Sequence, residues 1–297
     1  MTDESKPMDD QSASKGRQGA RWGQERRLEF IDYRLHWDGQ INRSNLTDFF
    51  GISVPQASLD LTEYTKMAPA NMEYDTRARV YRATAAFKPA FASSSLERYL
   101  DDLLRVTIQP EIPYGSFLGW HSPVAAVPRL ERRLDPDVVG QMLRAIRELE
   151  SVDVFYRSMS DPDGSERRLT PHALVHDGYR WHARSYCHKR KEFRDFLLSR
   201  IVRVENAGRD QERSHLDGAW NRMVDVVIIS HPDLRPAQRR LIESDYAMEN
   251  GEVHLKCRKA LLYYLLFQLN LTRDQASRTP EAVQLALKNK DDIYALM

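Results

Sequence analysis

The sequence predicts an α+β multidomain chain, with a winged helix-turn-helix at the N-terminus, a small β-rich domain at the centre and a small α/β module at the C-terminus. Three observations carry that prediction. Helix-period apolar stripes over residues 21–67 give way to a period-2 hairpin pattern in "NMEYDTRARVYRATAAF". Short runs between turn residues fill 152–204, as in a bent antiparallel sheet or small barrel. From "MVDVVIISHP" onward the pattern is strand, helix, strand, helix. A chain of 297 residues exceeds the size at which one core usually keeps growing, so several domains are expected.

Residues 1–20 are polar and nearly free of large apolar side chains, and are expected to form a disordered tail. From Arg21, the residues Leu28, Ile31 and Leu35 fall on one helical stripe that ends near Asp38-Gly39. Leu46, Phe49 and Phe50 form the apolar face of a second helix, and Gly51 allows a tight turn. Ser53 then caps a third helix, with Gln56 completing an S-x-x-Q capping box. With the hairpin, this is a winged helix-turn-helix over residues 21–92. Residues 93–118 read as a linker containing a connecting helix, and the Pro- and Gly-rich "IQPEIPYGSFLGWHSPVAAVP" marks a boundary.

The central domain, 119–206, opens with a helix from Pro136 to Leu149 and a strand from Val152 to Ser158. Asp161 to Gly164 reads as a turn, followed by strands at Arg167–Thr170, Ala173–His176, Tyr179–Tyr186 and Phe193–Val204. The C-terminal module, 207–297, ends in the helix "KALLYYLLFQLNL", which is apolar on all sides and so either core or dimer contact.

Composition narrows the function classes. With 44 basic and 43 acidic residues the chain has no global pull toward nucleic acid, and any such pull is local. Cys187 and Cys257 lack a CxxC, which argues against a disulfide framework or cysteine zinc site and fits a reducing compartment. No stretch approaches the roughly 18 apolar residues of a membrane span, so a cytoplasmic protein with no membrane partner is expected. His172 and His176 stand four apart but near a short strand, and Asp161, Asp163 and Asp177 have no metal-site spacing. No metal, cofactor or catalytic residue is expected.

Two surfaces can bind partners. In a helix-turn-helix the second helix faces base edges, which places Gln56 and Ser58 there, behind the capping Ser53. Arg43, Asn45, Lys66, Arg77, Arg79 and Arg82 flank it where phosphate contacts are made. Double-stranded operator DNA read by a symmetric dimer is the expected partner; a protein-binding winged helix is the alternative.

The second surface is "GYRWHARSYCHKRKEFRDFLLSRI". By strand parity Arg180, His182, Arg184 and Tyr186 share one face, opposite Trp181, Ala183, Ser185 and Cys187. Arg194 and Arg200 also share a parity, so these cations are expected to converge on one patch suited to phosphate. The competing readings are a solvated or carboxylate-paired sheet face, a single-strand nucleic-acid-processing enzyme, and an adaptor.

The segments "DGYRWHARSY" and "FRDFLLSRI" resemble the WYL domain, and with the winged helix ahead of them the chain resembles WYL-domain transcriptional regulators, within them the BrxR/CapW group associated with bacterial anti-phage defence. The name-giving triplet aligns with Trp181, His182 and Ala183, a departure at two of three positions. The resemblance implies a homodimeric repressor whose Sm-like β-barrel senses an anionic ligand, single-stranded nucleic acid or a nucleotide. It carries ligand contact over to Tyr156, His182, Arg184, Arg194 and Arg200, and dimerisation to the C-terminal module.

Overall fold

The computed structural model describes residues 10–109, 116–128, 130, 132–209, 214–273 and 279–297. The chain divides into two compact units, residues 1–130 and 131–297.

The first unit begins with α1 (Asp10–Asp38), which presents Phe30, Ile31, Tyr33 and Leu35 to the core. The helix starts at Asp10 rather than Arg21, so part of the segment expected to be a tail is helical. A nucleus held by the buried C-terminal half lets each further residue add one hydrogen bond, and Ala, Gln, Lys and Arg accept that readily. Residues 1–9 lie outside the described residues. At Gly39 the backbone turns left-handed, with φ +69°, and leads into β1 (Gln40–Ile41). Next come α2 (Arg43–Phe50), α3 (Val54–Met67), and the wing strands β2 (Met72–Asp75) and β3 (Val80–Ala83). The strands form a three-stranded sheet in the order β1-β3-β2.

Two buried polar centres fix this unit. Asp32, fully buried, accepts from the Tyr64 hydroxyl, the Ala90 and Phe91 amides and Ser94 Oγ, and so ties α1 to α3 and to the chain after the wing. Burial pushes the Tyr64 phenol well above its usual range. Asp60 accepts Nε and Nη2 of Arg27 at 2.6 and 3.1 Å. After a 3-10 turn at Ala92–Ser94 comes α4 (Leu96–Ile108). Phe117 is fully buried against Phe30, Phe49 and Tyr33, with ring centroids 5.3, 5.6 and 5.8 Å away. The stretch expected to be a linker over 93–118 therefore contributes core to the first unit. A proline- and glycine-rich composition marks irregular backbone, not absence of packing.

In the second unit, α5 (Pro136–Glu148) lays Val138, Met142 and Ala145 over a five-stranded antiparallel sheet. Its strands are β4 (Glu150–Ser158), β5 (Asp161–His176), β6 (Trp181–Cys187), β7 (Glu192–Leu197) and β8 (Ile201–Arg209), in the order β7-β6-β5-β4-β8. Two expected strands are one: β5 runs through Pro171, where the register with β6 shifts, and a bulge is where a strand accommodates proline. The expected turn at Asp161–Gly164 is likewise part of β5. Conversely, the expected strand Phe193–Val204 is split by a 3-10 turn at Leu198–Arg200. That short turn joins the two edge strands. Five strands laid flat would set those edges about 19 Å apart, so the sheet must curl toward a barrel.

The C-terminal module adds α6 (Gly218–Asn221), β9 (Met223–Ser230), α7 (Pro236–Asp245), β10 (Glu252–Arg258) and α8 (Leu262–Gln268). Then follow α9 (Pro280–Val283), β11 (Leu285–Leu287) and α10 (Lys290–Ala295). The expected strand, helix, strand, helix order is present, and β11 completes a sheet ordered β10-β9-β11. The helix expected to be last is followed by two more. It buries Leu262 and Leu266 and exposes Tyr263 and Phe267, so its apolar run serves both a core and a surface.

Candidate nucleic-acid interface and basic sheet face

Ser53 caps α3 by accepting from the Gln56 amide at 3.4 Å. The expected capping box forms only in this half, because the Gln56 side chain turns to Asp60, donating Nε2 to Oδ1 at 3.0 Å. A carboxylate four residues on, on the same face, outcompetes the chain end as a partner. Ser58 and Thr62 hydroxyls donate back to the carbonyls of Val54 and Ser58. Asn45 closes a capping box with Asn42 at the start of α2, so its side-chain oxygen serves local structure. Lys66 lies beside Glu63 at 3.4 Å.

On the wing, Arg79 sits at the turn with φ +58°, and both Arg77 and Arg79 are exposed. Asp75 accepts the Arg77 and Ala78 amides and Nε of Arg82. The Ala78 amide and the Arg82 guanidinium hold its carboxyl below the usual value. Arg82 is thus engaged within the hairpin, whereas Arg43, Arg77 and Arg79 extend into solvent as phosphate-seeking cations would.

The basic sheet face differs from its expectation. In the β6–β7 register Arg184 lies opposite Asp195, and Arg194 opposite Ser185. Even-numbered residues of β6 therefore share a face with odd-numbered residues of β7. Arg194 points away from Arg184 and His182, and pairs with Glu192 at 2.7 Å. Arg200 has left the ladder for the 3-10 turn. Tyr156 is buried, accepting the Leu197 amide at 3.3 Å and packing edge-on against Phe196. The five residues do not converge on one patch.

What does assemble on the face of His182 and Arg184 is a buried charge network. Arg184, 6% exposed, donates Nε and Nη2 to the two oxygens of Asp217 at 2.7 and 3.0 Å, and Nη1 to Asp195 at 3.3 Å. Asp217, 1% exposed, also caps α6 through the Trp220 amide and meets His172 Nε2 at 3.1 Å. Burial pushes the Asp217 carboxyl up, but hydrogen bonds from Arg184 and Trp220 outweigh it and hold the carboxyl below its usual value. Burial pushes His172 down, more than Asp217 raises it, so at neutral pH it is a neutral donor. Asp195 accepts the Tyr264 hydroxyl at 3.0 Å.

His182 Nε2 contacts Asp177 at 2.9 Å, while its Nδ1 is buried without a partner. Asp177 also accepts the Tyr179 and Arg180 amides and Arg180 Nε, and Gln268 donates to its carbonyl at 2.7 Å. Burial pushes the Asp177 carboxyl up, but those donors outweigh it and hold it at about 2. Asp217, Tyr264 and Gln268 all come from beyond the sheet. Sequence reasoning missed them; the D-G-x-W pattern at 217–220 signals a helix start but not the partner of its carboxylate.

Among the described residues no group of three His, Cys, Asp or Glu side chains is placed to hold a metal ion. No helix among them is long and apolar enough to cross a membrane.

Comparison with known proteins assigns three segments. Residues 23–105 match the BrxR transcriptional regulator winged helix-turn-helix domain, 137–206 the WYL domain, and 223–293 the BrxR transcriptional regulator C-terminal dimerization domain. The DNA-binding transcriptional repressor CapW of Pseudomonas aeruginosa is 70% identical over 297 residues, covering 100% of this chain and 99% of that one. The repressor of the same name from Stenotrophomonas maltophilia is 43% identical over 285 residues, covering 96% and 95%. Among solved structures, the proteasome accessory factor B/C (PafBC) of Arthrobacter aurescens matches at 15% identity over 92% of this chain and 47% of that one. Its TM-score of 0.26 is too low to bear on the fold. These relatives are repressors by name rather than enzymes, so a nucleic-acid-processing role is not favoured. With a winged helix, a WYL sheet and a dimerization module in one continuous match, the chain belongs to the CapW family of DNA-binding transcriptional repressors.

Proposed function

We propose that this chain is a cytoplasmic, homodimeric repressor that binds an inverted-repeat operator through α3 and the wing, and that an anionic ligand at the WYL sheet releases it. Arg43, Arg77, Arg79 and Lys66 hold phosphates, with Asn45, Ser53, Ser58, Gln56 and Arg82 at the edges of the same surface. The operon controlled is a phage-defence operon, in keeping with the BrxR/CapW resemblance. The ligand, single-stranded nucleic acid or a nucleotide, engages the face of His182 and Arg184, with Arg200 at its margin and Tyr156 supporting it from within, while Arg194, on the opposite face, takes no part.

The observation that carries the release step is that Arg184 is gripped by Asp217, at the threshold of the C-terminal module. A phosphate reaching Arg184 competes with that carboxylate for the guanidinium. Exchange frees the start of α6 and alters how the module meets the sheet. A five- to 150-fold change in operator affinity requires a differential of only about 1–3 kcal/mol between the two states.

The test is a mobility-shift titration on the region upstream of the chain's own gene, against salt, with and without an added mixed-sequence single-stranded oligonucleotide or a nucleotide mixture. Retardation that weakens with salt, a shallower salt slope in Arg79→Ala, and release at lower oligonucleotide or nucleotide concentration in Asp217→Asn are expected. Salt-insensitive or absent retardation overturns the operator reading. An identical response in Asp217→Asn overturns the exchange.

A further inference from the structure

We propose that Leu59, with Pro55 beside it, reads thymine C5-methyl groups, so that each operator half-site carries thymine beneath the middle of α3. This rests on α3 being the helix that enters the major groove. The buried side of α3 is defined by Ala57, Asp60, Leu61 and Tyr64. At about 100° per residue, the line directly opposite is Pro55, Leu59, Thr62 and Lys66. Leu59 is 63% exposed there, and Val54 at the helix start is 58% exposed. Neither exposure serves the core.

The polar groups that would read base edges are already engaged. A bidentate grip on adenine needs both the donor and the acceptor of the Gln56 amide, and the donor is held by Asp60, itself clamped by Arg27. The hydroxyl protons of Ser58 and Thr62 are turned back into the helix. Glu63 and Lys66 lie beyond, as an ion pair. Over its first two turns, the outward line of α3 is therefore aliphatic. The major-groove edges of the bases present one apolar feature, the thymine methyl. An exposed leucine centred on that surface gains only by burying against it.

The experiment begins with selection of duplexes from a random-sequence library by the full-length protein. The enriched duplex is then synthesised with deoxythymidine or with deoxyuridine throughout, which removes the methyl groups and leaves base pairing intact. Wild type is expected to bind the deoxyuridine duplex about 4-fold more weakly for each methyl buried, hence about 15-fold for one methyl per half-site. Leu59→Ala is expected to bind the thymidine duplex with a similar loss and to show a ratio near one between the two duplexes. Because Leu59 is exposed, its melting temperature should match wild type.

Equal wild-type affinity for both duplexes, or a Leu59→Ala variant that keeps the wild-type ratio, overturns methyl reading while leaving DNA binding by α3 intact. A selection that enriches no duplex overturns the reading of α3 itself. A Leu59→Ala variant that loses dimerisation assigns the side chain to contact with a second copy and overturns the proposal.

Discussion

Replacing Asp217 by asparagine removes one charge from a site where two guanidinium nitrogens of Arg184 approach its oxygens at 2.7 and 3.0 Å. Breaking a buried pair by deleting one partner costs about 3–5 kcal/mol, because the surviving charge stays desolvated. Two features place Asp217→Asn at the lower end of that range: Asp195 still faces Arg184 at 3.3 Å, and the amide oxygen can still cap the Trp220 N–H. The expected loss is about 3 kcal/mol, or about 6–12 °C in the melting temperature of a unit of this size. Arg184→Met should cost a comparable amount, since it strands both Asp217 and Asp195. The double variant should be less destabilised than the sum by at least about 2 kcal/mol, because neither position 184 nor position 217 then holds an unpaired charge and only Asp195 stays stranded, as it already is in Arg184→Met. Calorimetry of the full chain reads the transition, and amide exchange at 218–220 assigns it to the second unit. A shift below about 2 °C for Asp217→Asn, or full additivity in the double variant, would refute the reasoning.

Asp32→Ala strands the Tyr64 hydroxyl, the Ala90 and Phe91 amides and the Ser94 hydroxyl in the first unit. At about 1–3 kcal/mol for each buried group left unsatisfied, the loss should exceed about 3 kcal/mol, seen as a lower urea midpoint for that unit with the second unit unchanged. Asp177 gives a pH signature. Its folded pKa of about 2 lies below the ordinary aspartate value of about 3.9, so its stabilisation is fully present above pH 4 and fades as pH falls through 2. Asp177→Asn should therefore be about 2 kcal/mol less stable than wild type at pH 6, with the gap closing between pH 4 and 2; a constant gap would sink this assignment.

The periodic elements of the winged helix were legible because their causes are local. An apolar stripe on α1, Ser53 at the start of α3, and glycines at 39 and 51 in left-handed turns each act within a turn or two of helix. The β9-α7-β10-α8 order was legible for the same reason. The Gln56–Asp60 contact was within reach of the same rules, since residues four apart on a helix are neighbours. Pairing was not legible. Strand parity is a property of one strand's backbone, but which parity of β7 faces Arg184 depends on the hairpin that joins β6 to β7, and a shift of one residue exchanges the faces.

By itself, then, the sequence determined the order of the winged helix, the β-rich sheet and the C-terminal α/β module, and the sign of the charge concentrated on β6. Only the tertiary structure decided what that charge meets. Asp217 lies 33 residues from Arg184, and nothing local tells a carboxylate that distant to enter the fork of its guanidinium. Burial makes the match compulsory, because a desolvated arginine without a counterion would destabilise the fold it sits in.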